Sequence, residues 1–216
     1  MADSRLYVHV LLDRSGSMES CRDKTIDAFN EYCNSLKVQS KAGTRLSLTI
    51  FDSESIDHIH NALRISDVPK LTRDTFVPRG TTPLFDAVGK TVAVIDRITL
   101  LPDERVAFAI LTDGLENASV ELTADAVKKM LIDRQERCNW LVQYLGANQS
   151  AWDAGAQIGV AAAHALDYGV AHVKAAMRSA SASQSRYRSA PAAEAREQAS
   201  FSHGERAVSR GEPESK

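Results

Sequence analysis

Apolar and polar residues follow two alternating periods along this chain, and the changes of period mark out its elements. Leu6-Tyr7-Val8-His9-Val10-Leu11-Leu12 is almost unbroken in apolar residues, the pattern of a parallel strand covered on both faces. From Met18 to Val38 the spacing turns helical, with Ile26, Phe29, Cys33 and Leu36 on one stripe and Arg22, Asp23, Lys24, Asp27 and Glu31 off it. Leu46 to Phe51 alternates as a strand does, Asp52-Ser53-Glu54-Ser55 is a short polar turn, and Ile56 to Leu63 returns. Those three segments predict an antiparallel hairpin at a sheet edge. Beyond a connection bounded by Pro69 and Pro78, Leu84, Val88, Thr91, Val92, Ile95 and Ile98 mark a second amphipathic helix, with Pro83 suited to its start. Val106 to Leu111 is a second unbroken apolar strand. A helix over 121–137, a strand over 138–146, a short helix capped by Ser150, a brief strand within 161–166 and a helix striped by Val170, Val173 and Met177 complete the series.

Strands alternating with helices predict an α/β fold: a doubly wound, mostly parallel sheet with one antiparallel edge strand and helices on both faces. That domain is expected over residues 1–178. From Ser179 to Lys216, Ser, Ala, Arg and Glu dominate, and large apolar residues are scarce. Such a composition buries too little surface to offset the cost of ordering, so residues 179–216 are expected to form a disordered polar tail or at most a marginal helix.

Composition narrows the function classes. The 216 residues are 44% hydrophobic and 25% charged with a formal net charge of −2, which excludes a global attraction to nucleic acid or to an anionic membrane. The longest apolar runs fall far short of the roughly 18 residues that span a bilayer. The first of them lacks the flanks of a secretory signal. Three cysteines, Cys21, Cys33 and Cys138, are odd in number and lack pair spacing, as expected of reduced thiols. The expectation is a cytoplasmic protein.

The candidate chemistry sits where two of the apolar strands end. Asp13-Arg14-Ser15-Gly16-Ser17 follows the first and gathers three oxygen-bearing side chains in one tight loop. Hard cations such as Mg²⁺ bind several oxygens in near-octahedral order, and this loop offers half such a shell. Thr112-Asp113-Gly114 ends the second strand, and Arg79-Gly80-Thr81-Thr82-Pro83-Leu84 adds two hydroxyls ahead of a helix. In parallel sheets, ligands gather outside the carboxyl ends of strands at the point where strand order reverses. Other polar residues have plainer roles. His9 reads as a core histidine, His58 and His60 as residues of an exposed edge strand, Asp86 as a first-turn carboxylate, Glu116 as a surface carboxylate, and Arg14 as an outward-pointing residue.

The motifs Asp13-x-Ser15-x-Ser17, Gly80-Thr81-Thr82-Pro83-Leu84 and Thr112-Asp113-Gly114, in that order, resemble the metal-ion-dependent adhesion site (MIDAS) of von Willebrand factor type A (vWA) domains, in particular the short stand-alone bacterial or phage members. The resemblance covers residues 6–178. It implies a Rossmann-like fold and a bound Mg²⁺ or Mn²⁺ that takes hydroxyls from Ser15, Ser17 and Thr82 and carboxylates from Asp13 and Asp113, directly or through water. Thr82, just before Pro83, fits the family threonine better than Thr81. The resemblance further implies a binding module, in which a partner protein's Glu or Asp completes the metal shell. Stand-alone members often act beside AAA+ ATPases or in stress-response modules. A scaffold whose metal only stabilises the fold is the alternative, and a metal-assisted hydrolase a more remote one. Enzymatic motifs are absent: there is no Asp-x-Asp pair at Asp13, no Gly-x-Ser-x-Gly elbow and no phosphate-binding Gly-rich loop.

Overall fold

The molecule is described from a computed structural model, over residues 4–39, 43–147 and 150–212. Its strands are β1 (Arg5–Asp13), β2 (Thr44–Phe51), β3 (Ile56–Arg64), β4 (Glu104–Thr112), β5 (Leu141–Ala147) and β6 (Ala165–Tyr168). They form one sheet in the order β3-β2-β1-β4-β5-β6. β1 pairs in parallel with β2 and β4, and β5 and β6 extend the parallel run, while β3 is antiparallel to β2 at the edge. The strand order reverses at β1, because the chain moves to one side for β2 and β3 and then crosses to the other for β4. The expected architecture is present, with its crevice between β1 and β4.

Successive side chains of β1 point to opposite faces, and all of them from Leu6 to Asp13 are buried, so helices must cover both faces. Leu6, Val8, Val10 and Leu12 point one way, into a core shared with Phe29, Tyr32 and Leu36 of α1 (Arg22–Gln39) and with Ala176, Met177 and Ala180 of α5 (Val173–Ser189). Tyr7 and Leu11 point the other way, against Val88 and Val92 of α2 (Leu84–Ile95) and Val127 and Leu131 of α3 (Ala124–Arg137). A short helix, α4 (Ala151–Gln157), opens on Ser150, whose side chain accepts from Asp153 N as the sequence predicts. His9 is a core residue, hydrogen-bonded to Tyr7 Oη at 3.0 Å and to Thr49 Oγ1 at 2.7 Å. His58 shares that hydroxyl at 2.8 Å, so the edge-strand histidine is tied inward to the β2 face. All three thiols are free, with Cys21 and Cys33 buried and Cys138 exposed. Among the described residues no helix is long and apolar enough to cross a membrane.

The expected disordered tail is corrected by the structure. α5 runs on through Ser189, and α6 (Ala195–Gln198) and α7 (His203–Arg210) follow it. Burial there comes from small residues packed closely, Ala180, Ala195, Ala199 and Ala207, around two large anchors, Tyr187 and Phe201. A buried polar chain reinforces the docking: Tyr32 Oη donates to Gln184 Oε1 at 2.7 Å, and Gln184 Nε2 donates to Gln143 Oε1 at 2.8 Å. Gln143 Nε2 in turn donates to Ser183 Oγ at 2.9 Å. Counting large apolar residues underestimated this segment, because alanine and serine let helices approach a sheet without leaving voids.

Candidate metal site

Asp13 is the last residue of β1, fully buried, and its carboxylate is shared between its own loop and the neighbouring strand. Oδ1 accepts from Ser15 N at 2.7 Å and Oδ2 accepts from Thr112 Oγ1 at 2.5 Å. The first bond turns the chain so that Ser15, buried, and Ser17, exposed, bring their hydroxyl oxygens to 3.1 Å of each other. Ser17 Oγ donates to Asp113 Oδ1 at 2.6 Å. The third segment joins from the loop before α2: a Cβ built on Gly114 would lie 3.3 Å from Thr82 Oγ1 and 3.8 Å from Ser17 Oγ. Of the two threonines, Thr82 is buried and Thr81 exposed. Asp13, Ser15, Ser17, Thr82 and Asp113 therefore come together at the carboxyl ends of β1 and β4.

The electrostatics of this cluster are unbalanced. Among the described residues, no ion pair involves Asp13 or Asp113. Burial pushes the Asp13 carboxyl up to about 6; the Thr112 and Ser15 hydrogen bonds oppose that rise, and the Asp113 charge adds to it. Asp113 is also raised, by burial, against the bond from Ser17. A pair of neighbouring carboxylates lacking a counter-charge, with hydroxyl oxygens beside them, suits a hard divalent cation. The donor set is all oxygen; among the described residues, no group of three or more His, Cys, Asp and Glu side chains is arranged to hold a metal. The His58 and His60 pair adds nothing to such a site.

Three residues to which the sequence assigns plainer roles, Arg14, Asp86 and Glu116, hold the loops of the site. Arg14 is buried rather than outward-pointing, donating to Asp52 Oδ2 at 2.7 Å and Asp57 Oδ2 at 2.9 Å. Asp86 does more than favour a helix start: it accepts from the backbone N–H groups of Val120, Glu121 and Leu122 at 2.7–3.2 Å. Glu116 accepts from Phe85 N, Ala118 N, Ser119 N and Ser119 Oγ at 2.6–2.9 Å, and Asn117 Oδ1 accepts from Thr82 N at 2.9 Å. Together they fasten the 115–122 segment to the start of α2 and so fix Thr82 relative to Asp113. Apart from the Glu116 bonds to Ala118 and Ser119, the partners in these contacts lie 31–43 positions apart, too far for any local motif to reveal them.

Neither a protein-family model nor a curated protein sequence matches the chain. Solved structures do. A von Willebrand factor type A structure from Catenulispora acidiphila matches with a TM-score of 0.57 at 14% identity, over 86% of this chain and 44% of that one. The vWF domain of the type V pili tip protein Mfa5 from Porphyromonas gingivalis matches with a TM-score of 0.62 at 10% identity, over 88% of this chain and 98% of that one. Proximal thread matrix protein 1 from the mussel byssus, in a structure with a zinc-occupied MIDAS motif, matches with a TM-score of 0.58 at 16% identity, over 82% of this chain and 47% of that one. The chain thus spans less than half the length of two of these structures and nearly all of the third. It has the vWA fold.

Proposed function

We propose that this chain is a divalent-metal-dependent protein-binding module. Asp13, Ser15, Ser17, Thr82 and Asp113 would hold Mg²⁺ or Mn²⁺, and a Glu or Asp of a partner protein would complete the shell. The observation that carries this reading is the convergence of two uncompensated carboxylates with three hydroxyls at the switch point of the sheet. A divalent cation bound there supplies positive charge that a partner's carboxylate can share. The chain's own part is to keep that charge underneutralised, since three of its five donors are neutral hydroxyls. The zinc-occupied MIDAS of the mussel protein supports a divalent cation as the ligand of this fold.

Binding is favoured over turnover by the state of the nearby carboxylates. A metal-assisted hydrolase requires a general base beside the open position. Glu116, three residues beyond Asp113, is engaged by three backbone N–H groups and a hydroxyl. The free thiols favour a reducing compartment such as the cytoplasm, where an AAA+ ATPase or a stress-response component would be the partner. A scaffold whose metal only stabilises the fold is the second reading, favoured by the burial of Asp13.

Affinity capture in Mg²⁺ or Mn²⁺ and in EDTA, with wild type and Asp13→Ala, separates the two. Capture of a partner that requires both the metal and Asp13 supports the module. Capture unchanged by EDTA and by the substitution, with melting temperature alone responding to metal, supports the scaffold.

A further inference from the structure

The β2–β3 turn is organised by a carboxylate that touches both hydroxyl-bearing loops of the candidate site. The Asp52 side chain has 0% exposure. Its Oδ1 accepts from Glu54 N at 2.7 Å and Ser55 N at 2.9 Å. Its Oδ2 accepts from Arg14 Nε at 2.7 Å and Arg79 Nε at 3.0 Å. Ser55 Oγ repeats the double contact, accepting from Arg14 Nη2 at 2.8 Å and Arg79 Nη2 at 3.0 Å. Ser53 Oγ accepts from Thr81 N at 3.0 Å. That last contact needs a glycine at position 80, where φ is +65° and a Cβ would stand 2.4 Å from Ser53 Oγ. Arg14 lies between Asp13 and Ser15, and Arg79 lies three residues before Thr82. The two loops also bond directly, Arg79 N to Arg14 O at 2.9 Å and Gly16 N to Gly80 O at 3.1 Å.

We propose that Asp52 is a positioning residue of the metal site, holding the Ser15–Ser17 loop and the Thr82 loop at a fixed separation through Arg14 and Arg79. The proposal rests on the metal-binding reading above. Hydroxyl donors on separate loops must be held in place before a cation arrives, because any ordering left to the binding step is subtracted from affinity. Groups hydrogen-bonded to metal ligands typically change metal affinity 10–100-fold when lost, and Asp52, which reaches the ligand loops through Arg14 and Arg79, is expected at or below the lower end of that range. The arrangement also explains how two guanidinium groups stand beside a cation site. Arg14 is paired with Asp52 and Asp57, and Arg79 with Asp52 and Glu54 at 3.2 Å, so neither presents uncompensated positive charge. Burial raises the Asp52 carboxyl, but the Ser55 N–H, the Arg79 bond, the Glu54 N–H and the Arg14 charge outweigh it and leave Asp52 below the usual carboxylate range.

Positioning and plain electrostatics predict opposite signs for one variant. Arg79→Met removes a positive charge, which by charge alone raises affinity for a cation; if the clasp positions the loops, affinity falls instead. The test is Mn²⁺ titration of the full chain, read by the electron paramagnetic resonance of free Mn²⁺, for wild type, Asp13→Ala, Asp52→Asn and Arg79→Met. Circular dichroism melting in EDTA gives the folded fraction of each. The expected result is loss of binding in Asp13→Ala, a rise in Kd of up to about tenfold for Asp52→Asn, and a smaller rise for Arg79→Met. If Asp13→Ala abolishes binding while Asp52→Asn and Arg79→Met keep the wild-type Kd, the clasp is wrong and the metal site stands. Tighter binding by Arg79→Met also overturns the clasp. Wild type that binds no Mn²⁺ overturns both readings. Should Asp52→Asn fail to fold, Arg79→Met decides, because its side chain is 40% exposed.

Discussion

Ser17 Oγ donates to Asp113 Oδ1 at 2.6 Å, a contact across 96 positions of sequence that closes the loop after β1 onto the end of β4. Ser17 is exposed, so little of the fold depends on it. Ser17→Ala is expected to change folding stability by about 1 kcal/mol or less. Its Mn²⁺ affinity, measured by calorimetric titration, should fall by about tenfold or more. Equal affinity in the variant and the wild type would remove Ser17 from the donor set.

Asp13 gives the site a pH dependence of definite sign. Burial holds its folded-state pKa at about 6, above the ordinary aspartate value of 3.8. Between those two values the folded chain binds more protons than the unfolded chain. Metal-free stability from this group therefore rises as pH falls through that window, and at neutral pH the ionised carboxylate is a cost. A cation needs the carboxylate deprotonated. Mn²⁺ affinity is then expected to fall below pH 6 by up to about tenfold per pH unit for one displaced proton, while Asp13's share of metal-free stability moves the opposite way. The difference between wild-type and Asp13→Asn melting curves in EDTA, taken from pH 7 to pH 4, isolates that share. A difference that does not vary with pH contradicts the assignment.

The elements and the carboxyl-end residues were legible in the sequence because each rests on local spacing. β1 is a run of apolar residues that stops at Asp13, and β4 stops at Thr112-Asp113 in the same way. What holds those ends together was not legible. Arg14 sits in the motif, yet its partners Asp52, Ser55 and Asp57 lie about forty positions away on the β2–β3 hairpin. Nothing in the local pattern distinguishes a buried arginine that clasps a turn from one that faces a partner. The packing of residues 179–212 is hidden from the local pattern for a related reason: the partners of Ser183 and Gln184, Tyr32 on α1 and Gln143 on β5, are distant in sequence.

Asp86 was read as a helix-start carboxylate, and its three amide partners give that reading a measurable rival. A first-turn dipole contribution amounts to about 0.3–1 kcal/mol and is screened by salt. Removing a buried acceptor from several backbone donors costs more, about 1–3 kcal/mol. Asp86→Ala is expected to lose stability in the larger range, with little dependence on ionic strength, in urea unfolding at low and high salt. Because the 115–122 segment would be released, its backbone amides should also exchange hydrogen faster. A small, salt-sensitive loss with unchanged exchange would return Asp86 to the dipole role.

Phe201 tests whether the segment after α5 belongs to the core. Its ring is 5% exposed, Arg206 stacks on it with the guanidinium carbon 5.9 Å from the ring centroid, and Phe201 N donates to Ala163 O at 2.9 Å. Arg186 further ties α5 to α7 through a bidentate bond to Glu205 at 2.9 Å. A solvated tail would tolerate any substitution here. A docked one should not: Phe201→Ala is expected to cost about 3 kcal/mol, which for a domain of this size lowers Tm by roughly 6–12 °C. Ending the chain at Ala190, which also removes the buried Ala195, Ala199 and Ala207, should lower it further. Differential scanning calorimetry in EDTA reads both without interference from metal, and a truncated chain that melts with the full-length protein would place these helices outside the cooperative unit.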